Sequence, residues 1–213
     1  MVSDPYYAPS YYRTTLAENT RWPVFSGNVE TDVCVVGGGL AGIATALALV
    51  QRKHSVTLFE SHRIGWGASG RNGGFVSPGY SVSMIDLLQQ LDRGPALALW
   101  KLSAEAGEKV RYYAERFGPH VLLGSNALVC RMIEHQDDLS RYVRTMNDTF
   151  DAGLTFVSRE EFRDSLITER YADAYTDSRS FLVHPLNLVR NLAQEAAKLG
   201  AEYSKAQGRV HCS

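Results

Sequence analysis

The spacing of hydrophobic residues changes twice between positions 31 and 60, and this change predicts a strand, a helix and a second strand. Val33–Val36 is a short continuous apolar run, which is typical of a parallel strand covered on both faces. In the next segment apolar residues recur at helical spacing, at Leu40, Ile43, Ala44, Leu47 and Val50. Residues 56–59 form another apolar run. We therefore expect a β-α-β unit whose two strands lie in one parallel sheet.

Glycines and one acidic residue lie at the ends of the two strands of this unit. The pattern Gly37-x-Gly39-x-x-Gly42 lies where the first strand passes into the helix, and Glu60 follows the second strand, 23 positions after Gly37. In a dinucleotide-binding fold the first glycine permits a tight turn, the second lets the backbone approach a pyrophosphate, and the third lets the helix pack against the strand. The helix N-terminus attracts the anion. Glu60 would accept hydrogen bonds from ribose hydroxyls and repel a 2′-phosphate. This context favours dinucleotide binding over an ordinary glycine-rich turn.

A second glycine-rich segment follows at residues 61–80. Five glycines lie between Gly65 and Gly74, and each adds chain entropy that folding must overcome, which argues against a plain surface loop. Together with Ser69, Arg71 and Asn72, they suit a backbone that wraps closely around a phosphate-bearing ligand. Arg71 would pair with a phosphate or with an anionic flavin, and a surface salt bridge is the alternative interpretation.

Composition excludes several other classes of function. The chain has 213 residues, 45% of them hydrophobic and 21% charged, with a net charge of −1, which is a soluble globular composition of one to two domains. Near-neutral charge provides no field for nucleic acid, and the longest apolar stretch, at 40–50, is too short to span a bilayer. Cys34, Cys130 and Cys212 are isolated, so neither a metal site nor a disulfide framework is expected. Without a secretory-type N-terminus, a cytoplasmic location is expected.

The two glycine-rich stretches resemble those of the FAD-dependent amine and amino-acid oxidoreductases, the superfamily of D-amino-acid oxidase, glycine oxidase and sarcosine oxidase. The resemblance is carried by residues 37–42, Glu60 and the string Gly-Ala-Ser-Gly-Arg-Asn-Gly-Gly at 67–74. This string looks most like the gamma-glutamylputrescine oxidase branch and implies that the cofactor is FAD. The residues that the resemblance implies for FAD binding are Gly37, Gly39, Leu40, Ala41, Gly42, Glu60, Ser61, Arg63, Ala68, Ser69, Arg71, Asn72, Gly73 and Gly74.

The resemblance also organises the rest of the chain. Residues 1–28 lack a sustained period, and we expect an arm without regular structure whose tyrosines pack on the chain's own surface rather than bind a partner. Residues 29–80 hold the FAD-binding unit. Residues 81–183 resemble part of the family's inserted α+β substrate domain, and 184–213 resemble its return to the FAD domain. The expected fold class is therefore α/β, with a Rossmann-like parallel sheet, incomplete relative to the family.

Local patterns predict the elements after residue 80. The expected helices lie at 84–91, 96–117 and 134–150, at a short segment opened by the capping box Ser158-x-x-Glu161, and at 185–199 with Pro185 in its first turn. The expected strands lie at 121–132, bent near 124–126, and at 154–157 and 174–183. Residues 201–204 are expected to form a third parallel strand beside 56–59, on the side away from Val33–Val36. That sheet would keep an unprotected edge.

The expected function is oxidation of the C–N bond of a small amine or amino acid, by hydride transfer to flavin N5 and subsequent imine hydrolysis. The flavin carries this chemistry, so no catalytic residue is assigned, and His184 is expected to be structural. The chain resembles only the N-terminal part of the family, so alone it is expected to be poorly stable, to retain flavin weakly and to have little or no turnover. A non-catalytic fragment and an NAD-dependent dehydrogenase are the alternatives, and the second glycine segment argues against NAD.

Overall fold

The computed structural model describes residues 7–17, 20–132, 138–163 and 166–205. Its strands are β1 (Val33–Val36), β2 (Val56–Glu60), β3 (Phe75–Val76), β4 (Leu122–Met132), β5 (Leu154–Val157), β6 (Tyr171–Val183) and β7 (Glu202–Lys205). Its helices are α1 (Tyr11–Thr14), α2 (Leu40–Gln51), α3 (Met84–Gln90), α4 (Arg93–Phe117), α5 (Leu139–Phe150), α6 (Arg159–Arg163) and α7 (Pro185–Lys198), with a 3₁₀ turn at Ala68–Gly70.

The described residues form two compact units. The first draws on the ranges Met1–Gly74, Tyr113–Val121 and His184–Ser213, and the second on Phe75–Tyr112 and Leu122–Val183. The domain boundaries drawn from the sequence stay a prediction. No helix within the described ranges is both long enough and apolar enough to cross a membrane.

The first unit contains a parallel sheet in the order β1-β2-β7. Val33 lies opposite Val56, and Thr57 lies opposite Glu202 on the other side of β2. The third strand is therefore confirmed, beside β2 and away from β1, although it begins at Glu202 rather than at residue 201. This order follows from a helix that ends beside Gly200 and delivers the chain to the sheet in the parallel sense.

Two helices of the first unit pack against each other. The apolar residues of α2 give a buried stripe at Ile43, Ala46, Leu47 and Val50. α7 begins with His184 as N-cap and Pro185 in its first turn, as predicted. Most of α7 is buried, including Leu186, Leu188, Val189, Leu192 and Ala193. The core of the unit thus lies among β2, α2 and α7.

The N-terminal arm is more regular than the sequence predicted. Ser10 caps the helical turn α1, and residues 23–25 pair with the outer edge of β7. The Lys205 N–H donates to Pro23 O at 2.8 Å, and the Phe25 N–H donates to Lys205 O at 3.1 Å. The expectation of an arm without regular structure is therefore wrong, because β7 offers backbone groups with which an extended segment can pair. Tyr7 packs on the chain's own surface, as expected for the tyrosines of the arm, and is 5% exposed.

The second unit is an antiparallel sheet with helices. Its strand order is β3-β6-β4, and β5 also pairs with β6. The predicted bend in β4 is confirmed by register shifts on both sides of Ser125 and by a φ of +62° at Asn126. The two-residue strand β3 was not predicted, because so short a segment has no period. α5 begins at Leu139, capped by Asp138; the predicted start at Glu134 lies outside the described residues.

Candidate functional site

The turn between β1 and α2 is as tight as the glycine pattern requires. Gly37 has a φ of +106°, a conformation that favours glycine, and its N–H donates to Phe59 O at 2.8 Å. A Cβ atom on Gly42 would lie 2.0 Å from Gly37 O and 3.4 Å from Val35 Cγ1. A side chain at Gly42 is therefore excluded by the backbone of the turn itself, which brings the start of α2 against β1.

The N-terminus of α2 presents N–H donors beside this turn. Gly39 is the N-cap and offers no side-chain acceptor, and the first N–H groups of a helix lack intrahelical partners. The Leu40 N–H donates to Ser69 Oγ at 2.9 Å. Within the described residues, the N–H groups of Ala41 and Gly42 have no acceptor. The turn can thus offer two backbone donors to an anion.

Glu60 lies at the end of β2 and stabilises the glycine turn through hydrogen bonds. Its Oε2 accepts the Gly38 N–H at 2.7 Å, and its Oε1 accepts the His62 N–H at 2.7 Å and the Ser61 hydroxyl at 3.2 Å. The side chain is 17% exposed. An ionised carboxylate has about four lone-pair sites, so Glu60 can still accept hydrogen bonds from a ligand.

The second glycine-rich segment packs on the first unit and on itself. Gly65 has a φ of +74°, and its N–H donates to Gly38 O at 2.8 Å. A Cβ on Gly70 would lie 2.1 Å from Gly65 O and 2.8 Å from Leu186 Cδ1. At these two positions glycine is required by packing against the loop and α7. This differs from the sequence interpretation, in which all the glycines wrap a ligand.

The residues after the 3₁₀ turn are held by local hydrogen bonds. The Asn72 amide donates to Ala68 O and Ser69 O, both at 3.1 Å, and accepts the Gly74 N–H at 2.9 Å. Arg71 Nε donates to Gly67 O at 3.3 Å, and the guanidinium lies 5.1 Å from the Trp66 ring centroid. Among the described residues, Arg71 makes no salt bridge, so the alternative interpretation of this side chain is not observed.

A cavity of about 200 Å³ lies beside Glu60 in the first unit. Its apolar wall comes from Trp22, Val24, Leu58, Ile64 and Tyr203. Its charged residues are Arg21, Arg63, Arg190 and Lys205, with Glu60 as the carboxylate. Cationic N–H donors therefore dominate the polar lining, which suits a ligand that carries hydrogen-bond acceptors.

Sequence reasoning missed Trp22, Arg190 and Tyr203 as residues of the site. Arg190 is 4% exposed and bonds the arm, since its Nη1 donates to Tyr7 Oη at 2.6 Å and its Nη2 donates to Thr20 O at 2.9 Å. Tyr7 Oη in turn donates to Ile64 O at 2.7 Å. Burial raises the pKa of the Tyr7 hydroxyl. None of these residues stands in a recognisable motif, because their proximity arises only from the tertiary fold.

The structure thus gathers the predicted residues at three adjoining places. Gly37, Gly39, Leu40, Ala41 and Gly42 form the turn and the start of α2. Glu60 ends β2, and Ser61 and Arg63 follow it beside the cavity or its acid. Ala68, Ser69, Arg71, Asn72, Gly73 and Gly74 form the 3₁₀ turn and its continuation, joined to α2 through Ser69.

His184 serves as a helix cap outside the cavity lining. Its Nδ1 accepts the Asn187 N–H at 3.1 Å, and its Nε2 lies 3.0 Å from Thr15 Oγ1. A protonated Nδ1 has no lone pair for the Asn187 N–H, so capping requires the neutral ring. Burial lowers the pKa of His184, which favours the neutral form.

This pKa shift makes folding sensitive to acid. The unfolded chain binds a proton at His184 more tightly than the folded chain, so the free energy of unfolding falls as the pH drops below about 6.5. We expect His184→Asn, which keeps a capping oxygen, to lose less stability than the wild type between about pH 7.5 and about pH 5.5. Urea unfolding at both pH values measures the difference. Equal losses in the two proteins would contradict the assignment.

Comparison with known proteins gives the family. A family described as FAD dependent oxidoreductase matches residues 32–207. The probable oxidoreductase OrdL of Rhizobium meliloti (strain 1021) is 30% identical over 194 residues, covering 90% of this chain and 45% of that protein. Gamma-glutamylputrescine oxidoreductase of Escherichia coli (strain K12) is 29% identical over 188 residues, covering 84% and 42%. The chain spans less than half the length of these curated relatives.

Solved structures agree in fold. L-amino acid deaminase from Proteus myxofaciens matches with a TM-score of 0.69 at 21% identity, covering 89% of this chain and 41% of that one. Glycine oxidase from Geobacillus kaustophilus matches with a TM-score of 0.59 at 26% identity, covering 82% and 46%. The FAD fingerprint, the parallel sheet and the family match agree, and the chain belongs to the DAO family of FAD-dependent oxidoreductases.

Proposed function

We propose that this chain forms the FAD-binding part of an enzyme that oxidises the C–N bond of a small amine or amino acid. The observation that carries the proposal is the arrangement at the start of α2. Glu60 and Ser69 come from two different segments and fasten the glycine turn through the Gly38 and Leu40 N–H groups. The N–H groups of Ala41 and Gly42 are left for the FAD pyrophosphate.

The order of groups in a nucleotide then orients the cofactor. A phosphate at the start of α2 and a ribose on Glu60 place the attached base on the far side of Glu60. We infer that the base reaches the cavity that has Glu60 in its wall. We therefore assign the adenine of FAD to this cavity and the ribose hydroxyls to the Glu60 carboxylate.

The substrate class rests on the relatives. One is named a gamma-glutamylputrescine oxidoreductase and another a glycine oxidase, so an amine or an amino acid is the proposed substrate. Bound FAD supplies the hydride acceptor for such an oxidation. The residues of this chain bind and orient the cofactor, and none of them is assigned to proton transfer.

The first test concerns cofactor choice. We expect FAD to bind more tightly than NAD. A Rossmann NAD site needs only the first glycine-rich stretch, whereas here the Ser69-bearing segment adds a second one beside the Glu60 site. Titration of the purified chain with each dinucleotide measures the two affinities. Equal or tighter binding of NAD would overturn the FAD assignment. A chain that binds neither dinucleotide would favour the non-catalytic alternative.

The second test concerns Arg71. A charge-assisted hydrogen bond contributes about 1.5–3 kcal/mol, so Arg71→Ala is expected to weaken FAD binding by about tenfold or more. Arg52→Ala is the matched control, because Arg52 is an exposed arginine that follows α2 at its opposite end. A change below about twofold for Arg71→Ala would leave Arg71 as a loop residue bonded only to Gly67 and stacked on Trp66.

A further inference from the structure

One wall of the cavity comes from the arm, upstream of the part of the chain that matches the family. The family match begins at residue 32. Thr20, Arg21, Trp22 and Val24 nevertheless line the cavity. The fingerprint itself contributes Leu58 and Glu60 on another side. The cavity therefore has this wall only when the arm lies where the structure places it.

The arm is fixed at points on both sides of this wall. Arg190 bonds Tyr7 Oη and Thr20 O, which lie on either side of α1 in the sequence. Beyond Trp22, Pro23 and Phe25 exchange backbone hydrogen bonds with Lys205. Trp22 thus lies between an anchor on α7 and an anchor on β7, and these two anchors set its position.

Arg190 is a buried cation, 4% exposed. Its hydrogen-bond partners are a hydroxyl and a carbonyl, and it makes no salt bridge with a carboxylate in the described ranges. Its Nε, and the hydroxyl of Tyr203, are buried without any partner there. Buried polar groups normally find partners. Both residues also line the cavity, whose other charged groups are mostly N–H donors, so a ligand that carries hydrogen-bond acceptors suits it.

The size and surface of the cavity indicate one flat ring system. About 200 Å³ is less than the roughly 300–1,000 Å³ of pockets that hold a drug-sized ligand. The rings of Trp22 and Tyr203 lie in contact, with centroids 4.7 Å apart at an angle of 42°. Aromatic walls stack on nucleobases, and purine ring nitrogens are acceptors.

We propose that the arm segment 20–25 forms a wall of the adenine subsite, with Trp22 as the residue that touches the base and Arg190 as the positioning residue that holds the segment there. This inference rests on the proposed function, since it requires FAD to place its adenine in the cavity. FAD affinity then depends on a segment outside the dinucleotide fingerprint.

The test uses two ligands. One is ADP, the adenosine diphosphate part of FAD, and the other is inorganic pyrophosphate, which lacks the base. Base–aromatic stacking is lost on alanine substitution, so Trp22→Ala is expected to weaken ADP and FAD binding by about tenfold and to leave pyrophosphate binding unchanged. Trp22→Phe, which keeps a stacking ring, is expected to restore most of the affinity. Val29→Ala, an exposed change that follows the wall segment and lies outside the cavity lining, is the matched control.

A second readout needs no change at the wall. Trypsin cleaves after Arg21, so ADP is expected to slow cleavage there in the wild-type chain. Arg190→Met is expected to accelerate that cleavage and weaken ADP binding, and Arg190→Lys to recover part of both. If the wild type binds neither FAD nor ADP, the proposed function and this inference fall together. A second outcome overturns this inference alone. In it the wild type binds FAD, Trp22→Ala binds ADP as tightly as the wild type does, and ADP does not slow cleavage after Arg21.

Discussion

Replacing Gly42 with alanine is expected to abolish FAD binding. The new Cβ would lie 2.0 Å from Gly37 O. Because that oxygen belongs to the backbone, no side chain can move aside to relieve the clash. Either the turn opens or α2 shifts away from β1, and in both cases the N–H groups of Ala41 and Gly42 lose their alignment. Overpacking of this kind costs about 1–3 kcal/mol of folding free energy, and FAD affinity is expected to fall by far more than tenfold.

Urea unfolding and a flavin fluorescence titration measure the two effects of Gly42→Ala separately. Gly107→Ala is the control, because no atom lies within 4 Å of its added Cβ and alanine is favoured over glycine inside a helix such as α4. It should be neutral or slightly stabilising and bind FAD normally. Normal FAD affinity in Gly42→Ala would show that the turn is not part of the binding site.

Truncating Leu186 to alanine is expected to cause the largest loss of stability, about 2–5 kcal/mol. Leu186 is 1% exposed, and its Cδ1 lies 2.8 Å from the position of a Cβ on Gly70 and 3.0 Å from that of one on Gly65. The side chain therefore fills the contact between α7 and the second glycine segment. Its loss leaves a cavity beneath the loop that carries Ser69 to the start of α2, so FAD binding should weaken as well.

Leu102→Ala serves as the matched control for Leu186→Ala. Leu102 is 61% exposed, and exposed substitutions usually change stability by less than about 0.5 kcal/mol. Chemical denaturation of both variants gives the comparison. A loss below about 1 kcal/mol for Leu186→Ala would mean that the loop closes over the vacated volume, and that α7 does not determine its position.

Features whose cause is local were predictable from the sequence. Gly37 and Gly42 have one steric role each, which their spacing from β1 and α2 reveals. The position of β7 was also predictable, because the handedness of parallel crossovers leaves one place for a strand that follows α7. The capping box of Ser158 and Glu161 depends only on residues a few positions apart.

Features that depend on distant pairs were not predictable. Tyr7 and Arg190 are separated by 183 positions, and nothing in the sequence around either residue predicts that the two side chains meet. The glycines at 65 and 70 illustrate a related failure. Their number indicated an unusual backbone, but whether that backbone meets a ligand or a leucine of α7 depends on a helix more than a hundred residues later.

The pairing of the arm with β7 has a consequence for the order of assembly during synthesis. Val24 leaves the ribosome some 180 residues before Lys205, with which it forms a bridge. Closing so long a loop carries an entropic cost that local contacts avoid, and the N-terminal part of a nascent chain folds first. β1, α2 and β2 can therefore form the glycine turn early, while the cavity beside Glu60 lacks its arm wall until residue 205 has been translated. Completion of the cavity therefore comes later in synthesis than formation of the glycine turn.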